Sequence, residues 1–113
     1  MLQPIIVRPS LTYNDFDPLL SFNCKKDLRY TLINRMRKDK KIIVQGDGTS
    51  FWTITHSDDF AKGIVGLFGN PATIGEDFHI TSDEILDWNT IYTELAHAAG
   101  VDIRIVHIAS DYI

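Results

Sequence analysis

Gly63, Gly66 and Gly69 stand in the spacing Gly-x-x-Gly-x-x-Gly within the stretch KGIVGLFGNP, Lys62 to Pro71. This spacing admits two incompatible folds. A loop that grips a dinucleotide must lie between a strand and the first turn of a helix, where free N–H groups and the helix dipole meet the pyrophosphate. Alternatively, the glycines lie inside a helix that needs small residues on one face. Asp58 is a plausible N-cap, and Phe60, Ala61, Ile64, Val65 and Phe68 keep helical spacing through Gly63 and Gly66. Gly69-Asn70-Pro71 reads as a stop signal, and the residues from Asn70 to Asp77 hold Pro71 and Gly75, with no room for a crossover helix. Asp83 lies twenty residues beyond Gly63, where a ribose-binding acid would be expected, but it cannot restore a motif with no helix after it. The spacing therefore predicts helix-packing glycines.

The rest of the chain is read around that helix. Ile5-Ile6-Val7 is a β-branched run closed by Arg8-Pro9-Ser10, a strand ending in a breaker. Leu11 to Cys24, with Pro18 and several Asn and Asp residues, reads as loop. Asp27 can cap a helix whose Leu28, Leu32, Ile33 and Met36 share a face, with Arg35, Arg37 and Lys38 at its C-terminal dipole end. Ile42-Ile43-Val44 is a strand, Gly46-Asp47-Gly48 a tight turn, and Phe51 to Thr55 a second extended run. After the glycine helix, Phe78 to Thr81 is a short strand. Asp87 then caps a helix carrying Trp88, Ile91, Tyr92, Leu95, Ala96 and Ala99 at spacings of three and four, ending at Gly100, and Ile103 to Ile108 is a last strand. The order β, α, β, β, α, β, α, β predicts an α/β fold of short, mostly parallel strands with three main helices.

At 113 residues the chain is expected to form a single domain, 1–113, that buries roughly two-thirds of its unfolded surface. No apolar run approaches a bilayer span, and Met1 to Pro4 shows no basic n-region or cleavage pattern, so neither a membrane partner nor a signal peptide is expected. The single Cys24 leaves no internal disulfide and no Cys-based zinc site, which suits a reducing cytoplasm. The net charge of -4 hides an asymmetry, because eight of the eleven Lys and Arg residues lie between Lys25 and Lys41. A nucleic-acid module built on Lys25, Lys26, Arg29, Arg35, Arg37, Lys38, Lys40 and Lys41 is the alternative function. These positions surround an amphipathic helix that also has a core face, so a solvated helix surface is the expected reading.

His56-Ser57-Asp58-Asp59 is the densest cluster of possible ligands. His79, His97 and His107 sit on other elements without ligand spacing, so no metal site is expected, and Asp58 or Asp59 reads as a helix cap with His56 completing the turn. Ser10, Tyr13 and His56 could pose as a nucleophile with helpers, but no Gly-x-Ser-x-Gly elbow supports them. Trp52, on a short strand near a turn, can line a pocket as well as fill a core.

Read together, IIVRPSLTY, INRMRKDKKIIVQGDGTSFWTITHSDDFAKGIVGLFGNP and GEDFHITSDEILDWNTIYTELAHAAGVDIRIVHIASD resemble the C-terminal half of the extended short-chain dehydrogenases, the NAD-dependent epimerase/dehydratase family. The resemblance rests on strand-Arg-Pro, Gly-Asp-Gly and the His-x-Asp-Asp turn with its following helix, and it covers nearly the whole chain. It implies a fragment of a Rossmann-type protein plus its C-terminal substrate domain. Pro9 and Ser10 would then lie near the nicotinamide, and Tyr13, Trp52 and His56 would face the cleft of a small-molecule substrate. Trp52 stands where the nucleotide-sugar enzymes carry a diphosphate-clamping Arg after Gly-Asp-Gly, and Asn14 replaces the Gly usual after the Tyr; the first change points away from a sugar-nucleotide substrate.

The family's glycine-rich loop after a first strand is missing from these residues, and no Tyr is followed four residues later by Lys, the pair in which Tyr acts as general acid or base. The resemblance thus implies a truncated chain that is silent alone. NAD(P) belongs to the complete family protein, with no cofactor expected here and no catalytic residue assigned. Sheet strands left without neighbours would make such a chain a homodimer.

Overall fold

The computed structural model describes residues 3–16 and 30–112. They divide into two compact units, Met1–Phe16 with Thr53–Glu84, and Asp17–Trp52 with Ile85–Ile113. The mixed α/β reading holds: there are three α-helices and four strand pairs, of which three are parallel, among the described residues.

The second unit contains the buried apolar side chains. Strand β3, Ile42–Gln45, pairs in parallel with β8, Ile105–Ile108, and alternation along β3 turns Ile42 and Val44 inward. Helix α1, Thr31–Arg37, contributes Leu32 and Met36 one turn apart, and helix α3, Trp88–Ala98, contributes Trp88, Ile91, Tyr92 and Ala96. Asp87 caps α3 as expected, its carboxylate accepting the Thr90 amide at 2.7 Å, and Gly100 ends the element with φ 73°. Hydrogen bonds from Thr90 hold the Asp87 carboxyl below its ordinary range. The Asp27 cap and Leu28 lie outside the described residues.

The run Phe51 to Thr55 is not one strand. Phe51–Trp52, β4, pairs antiparallel with β7, Leu86–Asp87, while Ile54–His56, β5, pairs in parallel with β2, Leu11–Tyr13, in the other unit. The loop expected from Leu11 therefore begins with three strand residues; a pattern too short to show alternation is made extended by its ladder to β5. Strand β1, Ile6–Pro9, pairs in parallel with β6, Asp77–Ile80. Arg8 and Asp77 form an ion pair across this ladder, and the Arg8 guanidinium holds the Asp77 carboxyl below its ordinary range.

Helix α2, Ser57–Leu67, runs through Gly63 and Gly66, as the periodicity predicts, and Gly69 follows it with φ 75°. It contacts β2, β5 and β6. The two helical glycines differ. A Cβ on Gly63 would meet Ile80 Cγ2 at 2.8 Å, whereas one on Gly66 would meet nothing within 4 Å. Gly66→Ala should therefore stabilise the chain by about 1 kcal/mol through helix propensity. In Gly63→Ala the same gain is opposed by an overpacking cost of about 1–3 kcal/mol against a β-branched, stiff neighbour, for a net loss. Urea titrations of the two variants should shift their midpoints in opposite directions.

Candidate functional site

In the first unit the ends of β2 and β5, the first turn of α2 and the segment after β6 enclose a cleft of about 410 Å³. Its lining includes Tyr13, Thr55, His56, Asp59, Ser82 and Asp83. The floor is held by Thr55, which is 5% exposed. Its hydroxyl oxygen accepts the Ser82 amide at 2.9 Å and lies 3.0 Å from Ser10 Oγ, so one buried hydroxyl ties β5 to the chain after β1 and after β6. The Ser82 hydroxyl in turn accepts the Glu84 amide at 3.1 Å, which turns the acidic pair Asp83-Glu84 along the cleft rim.

His56 is the N-cap of α2, correcting the assignment of that role to Asp58 or Asp59. Its backbone is still extended, at φ -67° and ψ 142°, because it is the last residue of the β2–β5 ladder, opposite Tyr13. That pairing starts the helix at Ser57 and leaves the imidazole, one residue before, as the group able to reach the Asp58 amide. Nδ1 accepts that amide at 3.1 Å, and Nε2 lies 3.2 Å from Asp15 Oδ1. A ring whose Nδ1 accepts carries its proton on Nε2, so Nε2–H donates to the Asp15 carboxylate. The Tyr13 ring meets His56 edge-on, with centroids 5.2 Å apart and planes at 88°. Asp58 and Asp59 stand in the first turn, where their charge suits the helix dipole.

Of the residues expected at a site, Tyr13 and His56 are brought together in this cleft. Ser10 lies behind it on Thr55, and Pro9 is the exposed last residue of β1, opposite Ile80. Trp52 belongs to the second unit. It is 48% exposed and rests on Trp88 with centroids 6.1 Å apart, and Trp88 rests on Tyr92 at 5.7 Å. Sequence reasoning missed Thr55, Ser82 and Glu84, since an isolated Thr in a strand and a Ser after one give no signal of which hydroxyl will be buried. Among the described residues no group of three or more His, Cys, Asp and Glu side chains is placed to hold a metal ion.

The basic segment is visible in part. Arg35 donates through Nη2 to the Lys41 carbonyl at 2.6 Å, closing α1 onto β3, and Arg104 pairs with Asp39 at 3.1 Å. Lys25, Lys26 and Arg29 lie outside the described residues. No helix among the described residues is long and apolar enough to cross a membrane.

No family model matches the sequence, and no curated protein matches it. Solved structures do, among them Rossmann-type epimerases and dehydratases. UDP-glucuronic acid 4-epimerase from Bacillus cereus, in complex with UDP-glucuronic acid and NAD, is 26% identical and superposes with a TM-score of 0.70 over 94% of this chain and 32% of its own. The dTDP-glucose 4,6-dehydratase DesIV from Streptomyces venezuelae, with NAD bound, is 20% identical, with a TM-score of 0.67 over 92% of this chain and 30% of its own. UDP-glucose 4-epimerase from Thermotoga maritima, with UDP-glucose, is 16% identical, with a TM-score of 0.70 over 91% of this chain and 32% of its own. The chain thus has the fold of part of an NAD-dependent epimerase or dehydratase of the extended short-chain dehydrogenase type, as its motifs implied. It spans about a third of the length of the structures it matches.

Proposed function

We propose that this chain is the C-terminal, substrate-binding portion of an NAD-dependent epimerase/dehydratase-like protein, catalytically silent by itself and resident in the cytoplasm. The observation that carries this reading is the match itself, which takes in more than nine-tenths of the chain and only a third of each neighbour. The missing Tyr-x-x-x-Lys pair supports the silence, because no other group among these residues is assigned as the general acid or base of hydride chemistry. Tyr13, His56 and Trp52 serve as substrate-binding side chains, and Pro9 and Ser10 lie toward the nicotinamide in the complete protein. With Trp52 in place of an Arg, the substrate is a small molecule other than a nucleotide sugar. Incubation of the purified chain with NAD and a panel of small secondary alcohols, and separately with UDP-glucuronic acid, should leave nicotinamide absorbance and product formation at background. Robust turnover, abolished in His56→Ala, would overturn the proposal.

The same reading proposes a homodimer. Each sheet among the described residues has two strands, so each of those strands has an edge with no strand beside it, and Ile6 and Leu11 are exposed on β1 and β2. Unpaired strand edges with apolar neighbours are adhesive, and a two-fold contact is the simplest way to cover them. Size-exclusion chromatography with light scattering should return twice the chain mass of 12.8 kDa. A clean monomer at high concentration would refute the dimer and leave the substrate-binding reading intact.

A further inference from the structure

We propose that His56 is a proton-operated cap: neutral, it holds the first turn of α2 against the cleft, and protonated, it lets go of the Asp58 amide and turns to the carboxylates around it. The geometry carries this. An N–H group lies on Nδ1 at 3.1 Å, and only an unprotonated Nδ1 has a lone pair to accept it. Adding a proton there sets two donors against each other and places a cation at the positive end of the helix dipole. The ring has somewhere to go. Asp58 Oδ2 lies 3.8 Å from Nδ1, and Asp15 Oδ1 already holds Nε2 at 3.2 Å, so a doubly protonated ring can bridge the two carboxylates.

The charged and titratable groups around the cleft are Tyr13 from β2, Asp15 from the segment after it, Asp58 and Asp59 from α2, and Asp83 and Glu84 from the segment after β6. Lys62 is a cation of α2, 3.4 Å from Asp59. The carboxylates favour an imidazolium, while the helix end and the amide favour the neutral ring. The ring therefore stands between two opposed sets of neighbours, and the proton on Nδ1 decides which of them it meets. Because Tyr13 packs edge-on against the ring, the proton also changes a wall of the cleft. The inference does not depend on the epimerase/dehydratase reading.

The test is an NMR titration of the isotope-labelled full chain from pH 8 to pH 5. At pH 8 the His56 ring should show the Nε2–H tautomer. On acidification the Asp58 amide proton should shift with the same midpoint as the ring, and its protection from exchange should fall about fivefold, the equilibrium counterpart of losing a helix cap. The Thr90 amide is an internal control. Its cap, Asp87, is a carboxylate held below the ordinary range, so it stays ionised throughout and is lost only as pH falls through that lowered value. His56→Asn keeps a capping oxygen that does not titrate, and its Asp58 amide should be flat across the range. An Nδ1–H tautomer, an Asp58 amide that ignores the ring's titration, or the same transition persisting in His56→Asn would each overturn the proposal.

Discussion

Trp88→Ala should destabilise the second unit by about 3–5 kcal/mol, the range for removing a large buried aromatic from a core. Trp88 is 5% exposed, begins α3 directly after its Asp87 cap, and lies between Trp52 and Tyr92 in a three-ring stack. Its loss removes apolar burial, both ring contacts and the support beneath Trp52 at once. Since small domains are stable by only about 5–15 kcal/mol, the variant should lose much of its cooperative unfolding near physiological temperature. Thermal unfolding followed by far-UV circular dichroism checks this. A change in midpoint of only a few degrees would show that Trp88 does not anchor the core.

The second large effect belongs to a glycine. Gly48 is buried in the turn after β3 with φ 75°, and a Cβ there would collide with the side-chain amide of Asn89. Asn89 cannot give way without loss. Its side-chain amide donates to the Asp47 carbonyl at 3.0 Å, its Oδ1 lies 2.9 Å from His107 Nε2, and its backbone amide donates to the Gly48 carbonyl at 3.0 Å. Gly48→Ala combines left-handed backbone strain of about 1–2 kcal/mol with an overpacking cost of about 1–3 kcal/mol. The expected loss is about 2–5 kcal/mol, read as a lowered urea midpoint. Gly69→Ala makes a useful comparison, because its φ is also 75° but a Cβ there meets nothing within 4 Å, so only the backbone strain remains. Equal losses in the two variants would show that contact with Asn89 contributes nothing.

Helix α3 and its Asp87 cap were legible because their signals are local: apolar residues at spacings of three and four, an acidic N-cap and a closing glycine. The glycine question was settled in the same way, since helical periodicity through Gly63 and Gly66 rules out a phosphate loop. The core of the second unit followed from these patterns, apart from the helix start around Asp27, which lies outside the described residues. The cleft was legible in Tyr13, His56 and Asp59, which stood out as polar groups of chemical interest, and only the motif resemblance, not periodicity, turned Tyr13 and His56 toward a substrate cleft. Thr55, Ser82 and Glu84 carry no local mark.

The sequence by itself determined the type of each long element, the α/β class and the faces that α1 and α3 turn inward, because propensity and periodicity act over a few residues; α2, read as equally amphipathic, buries none of its side chains and leaves Val65 and Phe68 exposed. Only the tertiary structure decided which strands pair. β3 finds β8 some sixty residues away, not the extended run beyond its own turn, and that run is divided between two units at Thr53. Strand partners are chosen by hydrogen-bond ladders and packing between distant segments, which no short window encodes. The same cause made His56 the cap. The β2–β5 ladder keeps His56 extended and starts α2 at Ser57, so the imidazole reaches the amide that a nearby aspartate would otherwise have been expected to take.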